Sequence, residues 1–249
     1  MPAVSHPTPD RLVALLPGPA DADRPWLVNY SPGSERIELT GHVLSMWASK
    51  SAGLLTTESG EGVLVHVDLP VGWRAVTWCL GAWLAGGGVA LGPAPALAGT
   101  EVPEVSVAGA LEDLDARAEV QVLVPRASLA VRFDGETGPL TLDGVADVMS
   151  HADRFTPLPA APGLPALLAD DGTRLDRTEL AAAALAQAPT ARAVLVRGST
   201  GPGAAARAVR EVLAAWAGGA RAVLVDAACG EELVALAARQ ERVTGRRPG

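Results

Sequence analysis

The chain has 249 residues, of which 49% are hydrophobic and 4% aromatic, and a formal net charge of −8. That length and apolar content suit one large domain or two small ones with a real core, and exclude a disordered chain. The acidic excess is spread along the chain with no basic stripe, which excludes a nucleic-acid binder.

The opening MPAVSHPTPDR has no basic segment followed by an apolar core, so no signal peptide is expected. Cys79 and Cys229 lie far apart in apolar runs and read as small core residues of a reduced, cytoplasmic protein. Residues 8–16 suggest a short helix. WLVNYS and ERIELT read as strands around the turn SPGS. Thr40 can cap the helix that follows, in which Val43, Leu44, Trp47, Ala48, Leu54 and Leu55 recur at helical spacing. Residues 63–69 form a strand, and Pro70 suits the first turn of the next helix. There Trp73, Val76, Thr77, Leu80 and Leu84 share one face, while Trp78 and Ala82 lie opposite, so that helix is expected to be sandwiched. Residues 75–100 carry no charge and are long enough to span a bilayer. Gly86, Gly87, Gly88, Pro93 and Pro95 break the run into a buried helix and a buried strand, so no membrane span is expected.

The alternation continues with EVSVAG, a short helix near 110–117, and VQVLVP. Residues 126–165 are irregular and rich in Pro and Gly. PALLAD, a helix over 177–187, ARAVLVRG, a helix over 204–217, ARAVLVDA and a helix over 230–240 complete the chain. Strands alternating with helices predict an α/β fold of largely parallel sheets flanked by helices. A division into 1–125, an irregular connection 126–165 and a second βα half 166–249 is expected. GSERIELTGHVL and DGTRLDRTELAA share a turn, an Arg, a short strand and a helix start; both read as one hairpin-to-helix device.

ERIELTGHVLSMWASKSAGLL followed by VLVHVDLPVGWRAVTWCLGAWLAGGGVALGP resembles the opening of the adenylate-forming, AMP-binding (acyl-activating) enzymes. Thr40, Leu44, Leu69, Pro70, Gly86 or Gly88, and Pro93 take the places of that family's motif, with Gly41 in place of its Tyr. WLVNYSPGSERIEL, VDLPVGWRAV and GVADVMSHADRFTP are more closely similar to a short actinobacterial family without a settled function. Its members resemble the N-terminal part of acyl-CoA synthetases. The resemblance covers nearly the whole chain.

Such enzymes activate a carboxylate with ATP. They need a Ser/Thr/Gly-rich loop with a Lys for the phosphates, a Tyr-Gly-x-Thr-Glu motif at the adenine, and a Lys on a mobile C-terminal domain. Lys50 is the only lysine here and Tyr30 the only tyrosine, and both come too early for those roles. Where the phosphate loop would fall, LLADDGTRLDRTEL keeps only Gly172 and Thr173 of the Ser-Gly-Thr-Thr-Gly pattern. Asp170 and Asp171 would repel a phosphate. Asp171-Gly172 reads as a turn, and Asp176 with Glu179 as a capping box.

The best anion site in the sequence is VRGSTGPGAAARAV. Arg197, Gly198, Ser199, Thr200, Gly201 and Gly203 join a strand to a helix there and could present backbone N–H groups, with Arg207 adding charge. It lacks the Gly-Lys-Ser/Thr of a P-loop, and a flexible loop is the simpler reading. His6, His42, His66 and His151 have no metal spacing, and no G-x-S-x-G elbow appears. Asp68 ends a strand and reads as an acceptor for the following helix start. The expectation is a non-catalytic AMP-binding-enzyme-like pseudoenzyme that acts as a binding or interaction module, with a protein partner or a second copy of itself. The alternative is a residual ATP, AMP or acyl-adenylate site, completed by a partner chain.

Overall fold

The computed structural model describes residues 10–18, 21 and 23–244. Of the helix expected over 8–16, residues 8 and 9 lie outside that set, and a single 3-10 turn forms at Val13–Leu15. The first hairpin pairs β1 (Pro25–Ser31) with β2 (Glu35–Thr40) in antiparallel register and leads into α1 (Gly41–Ser59). The Thr40 hydroxyl accepts from the Val43 N–H at 3.3 Å, as its N-cap position requires.

The chain continues through β3 (Leu64–Asp68), α2 (Trp73–Leu84), β4 (Gly88–Leu91), β5 (Val105–Ala108) and β6 (Val120–Leu123). After β7 (Leu142–Asp143) and the short α3 (Ala146–Met149) come β8 (Leu167–Ala169), β9 (Arg174–Leu175) and α4 (Arg177–Ala186). The last elements are β10 (Ala193–Arg197), α5 (Ala204–Ala217), β11 (Arg221–Val225) and α6 (Glu231–Gln240).

Two sheets result. The larger has the order β7-β6-β5-β3-β4-β8-β9, parallel except for the β8–β9 hairpin; the smaller has the order β10-β11-β1-β2, parallel except for β1–β2. Residues 1–125 and residues 166–249 each contribute strands to both sheets, and β1 runs parallel to β11.

α2 lies between apolar layers, as its two apolar faces predict: Trp73, Trp78 and Trp83 are all buried. The Trp83 indole donates to the Ala166 carbonyl at 2.8 Å, which ties the helix to β8. The glycines that follow have a packing reason. A Cβ on Gly88 would come within 1.9 Å of the Pro165 oxygen, so β4 can approach β8 only without a side chain there. Among the described residues no helix is long and apolar enough to cross a membrane.

Two local expectations change. Pro70 lies before α2, whose N-cap is Gly72. The helix expected near 110–117 is a 3-10 turn at Leu111–Asp113, because the chain becomes extended at Leu114 and buries it against Ala108 and Leu123. Apart from the two-residue β7 and the short α3, the segment 126–165 is irregular and is held largely by polar bonds. Asp143 Oδ1 accepts from the Val145 and Ala146 N–H groups, and its Oδ2 from that of Phe133. Lys50, buried in α1, donates to the carbonyls of Met149 and His151 at 3.2 and 2.5 Å and pairs with Asp153 at 2.7 Å.

Candidate functional site

The loops after β8 and β10, separate in the sequence, meet at the start of α5. The β8–β9 turn is tight: the Gly172 N–H donates to Ala169 O at 3.0 Å with Gly172 at φ +85°, and Asp171 Oδ1 accepts from the Thr173 N–H at 2.9 Å. Bonding to Thr173 holds the Asp171 carboxyl below its ordinary value. The neighbouring Asp170 reaches across, and its Oδ1 accepts from the Gly203 N–H at 2.7 Å. Gly203 is the left-handed N-cap of α5, at φ +72°, and a Cβ there would come 2.1 Å from Asp171 Oδ2. A helix N-terminus attracts negative charge. Here the charge comes from the protein's own carboxylate.

The residues singled out after β10 are placed as follows. Arg197 pairs with Glu231 of α6 at 2.5 Å. The Gly198 N–H donates to Val225 O at 2.7 Å and extends the β10–β11 ladder by one bond. Ser199, Thr200 and Gly201 are exposed; Ser199 Oγ accepts from Arg207 Nη2 at 3.4 Å, and the Gly201 carbonyl accepts from the Ala204 N–H. The loop is therefore a turn into α5 whose two arginines already have partners.

On the helix side, Asp176 and Glu179 form the expected capping box: each side chain accepts from the other residue's backbone N–H, at 2.8 and 2.9 Å. Tyr30, the only tyrosine, is buried in β1, and its hydroxyl donates to Glu241 Oε1 at 2.8 Å. Arg36 and Arg221 also reach Glu241.

A polar line lies under the ends of the central strands. His66 is fully buried, with Nδ1 2.8 Å from Ser106 Oγ and Nε2 2.9 Å from the Gly92 carbonyl. A carbonyl only accepts, so Nε2 carries a proton. Ser106 Oγ accepts from the Asp115 N–H at 2.8 Å, which leaves its own proton free to point at Nδ1. These contacts satisfy both ring nitrogens inside the sheet. Asp68, at the end of β3, is half-buried. Burial pushes its carboxyl up, and the charges of Asp113 and Asp170 add to the shift. The acceptor at the α2 start is Asn29 rather than Asp68: Asn29 Oδ1 accepts from the Trp73 N–H at 3.1 Å, from the other sheet. Among the described residues no three His, Cys, Asp or Glu side chains are placed to share a metal ion. Cys79 and Cys229 are free and buried.

The architecture is an α/β fold shared with solved acyl-CoA synthetases. The chain superimposes on an acyl-CoA synthetase of Brucella canis with a TM-score of 0.74 at 16% identity, covering 95% of this chain and 49% of the synthetase. A long-chain-fatty-acid-CoA ligase of Archaeoglobus fulgidus gives 0.69 at 15% identity, covering 94% of this chain and 49% of the ligase. In sequence, a TIGR03089 family protein of Mycobacterium tuberculosis is 30% identical over 171 residues, 60% of this chain and 64% of that protein. The chain thus spans about half the length of these synthetases and less than two thirds of the sequence relative. No family profile matches the chain.

Proposed function

We propose that this AMP-binding-enzyme-like chain does not form acyl-adenylates and serves as a cytoplasmic binding or interaction module. The observation that carries this reading is the Asp170 carboxylate on the Gly203 N–H at 2.7 Å. A phosphate entering between the β8–β9 turn and α5 would have to displace one aspartate and pass another. The lone lysine is spent on two carbonyls and Asp153, and the lone tyrosine on a buried glutamate. Neither supplies a mobile cation or an adenine-stacking ring.

Carboxylate-dependent exchange of labelled pyrophosphate into ATP tests the reading, together with thermal shift in ATP, AMP and acyl-CoA. The expected result is background exchange and no nucleotide stabilisation. Exchange above the no-enzyme control overturns it.

A second reading keeps a weak nucleotide site at Arg197, Gly198, Ser199, Thr200, Gly201 and Gly203, completed by a partner chain or a second copy. The exposure of Ser199, Thr200 and Gly201 just before α5 favours it, because backbone near a helix start suits an anion. On that reading ATP stabilises the protein and Gly201→Asp abolishes the response.

A further inference from the structure

A cavity of about 50 Å³ lies where the two sheets face each other beside the start of α2. Its wall is built from the chain immediately after four strands: Ser31 ends β1, Leu69 and Pro70 follow β3, Val124 and Arg126 follow β6, and Asp226 follows β11. The connection from β3 leads to β4 on one side, while β5 and β6 lie on the other. The crevice outside such diverging strand ends is where open α/β sheets take ligands.

Arg74 lines this cavity and is only 9% exposed. Its Nη2 donates to the carbonyls of Ala127, Ser128 and Ala130 at 3.3, 3.1 and 3.0 Å, and the guanidinium stacks on Trp73, 4.5 Å from the ring centre. Among the described residues no carboxylate lies within ion-pair distance of it, and its Nε is buried without a partner, as is the Trp73 indole N–H. Burial pulls its pKa down to about 10, against which Asp143 and Glu35 act only through space. A buried cation without a counter-ion and with an unmet donor is costly unless an anion completes it.

The helix field adds to this. Intrahelical bonding in α2 begins with Val76 N–H to Gly72 O, and Asn29 takes the Trp73 N–H, so the positive end of a 12-residue helix faces the same space. The acid on the wall, Asp226, is turned to its own loop, where its Oδ1 accepts from the Ala228 N–H at 2.7 Å.

We propose that this cavity binds one small oxyanion, a phosphate or the carboxylate of a short acid, between Arg74, Arg126 and the first turn of α2. The inference is independent of the nucleotide question, because it uses neither the β8–β9 turn nor the loop after β10.

The test is a titration of the full chain with sodium phosphate and, separately, sodium acetate. Sodium chloride at equal ionic strength is the reference, and the readout is the ¹H–¹⁵N resonances of the Arg74 Nε–H and the Trp73 indole. A saturable shift of both with phosphate, acetate or both is expected, and the two arms identify the preferred anion. Arg126→Glu, at an exposed position, should weaken that affinity roughly five- to tenfold by reversing one nearby charge, with the melting temperature in chloride unchanged. Arg74→Gln, read at the Trp73 indole, should abolish the response; if that variant does not fold, Arg126→Glu carries the test. The proposal is overturned if both anions give only the drift seen with chloride, or if a saturable shift is indifferent to Arg126→Glu.

Discussion

Glu241 is 3% exposed and holds three partners: the Tyr30 hydroxyl, Arg36 and Arg221. Burial pushes its carboxyl up, but bonds from Arg36 and Tyr30 and the charges of Arg36 and Arg221 more than offset this, so its folded pKa lies below the ordinary glutamate value. The unfolded chain therefore takes up this proton more readily. The stabilisation is fully present above the unfolded glutamate pKa and is lost as pH falls through the folded value. Glu241→Gln should be destabilised at neutral pH, and its deficit against wild type should close in acid; urea unfolding at both pH values checks this. Asp176 is a simpler case. Its side chain accepts from the Glu179 N–H at the start of α4, and Asp176→Ala should cost about 0.5–2 kcal/mol in the same assay. This cap was legible in the sequence because donor and acceptor lie three residues apart. The Glu241 cluster was not, because Tyr30 and Glu241 are 211 positions apart.

Helix starts show the same division at the scale of elements. α1 and α4 each follow a hairpin and are capped by the residue just before them, Thr40 and Asp176. Their common device, an antiparallel pair feeding a capped helix, was readable as an echo between two segments. α2 is different, because its cap comes from Asn29 in β1 of the other sheet. Asn29→Ala should cost about 1–2 kcal/mol, since it removes the cap and leaves a buried Trp73 N–H without an acceptor. It should also loosen the region between the sheets, seen as faster amide exchange in the first turn of α2 than in α4. No spacing rule could have found Asn29, because it stands 44 positions before the N–H it satisfies.

At the scale of the molecule, β1 pairs with β2 and β11, and β11 in turn with β10. The first hairpin thus depends on strands from the end of the chain. Truncation before β10 should strip β1 of its parallel partner and expose Leu27 and Val28, both fully buried in the intact chain. The expected outcome is loss of cooperative unfolding by calorimetry, rather than a smaller stable domain. The sequence by itself determined the alternation of elements, the sandwiched α2, the breaks at Gly86, Gly87 and Gly88, and the turn with its capping box, because each rests on periodicity or on contacts a few residues apart. Only the tertiary structure decided which sheet each strand joins, that Asp170 occupies the start of α5, and that Arg74 is buried beside a cavity without a counter-ion. Those contacts join residues dozens to hundreds of positions apart, and local patterns carry no record of such pairings.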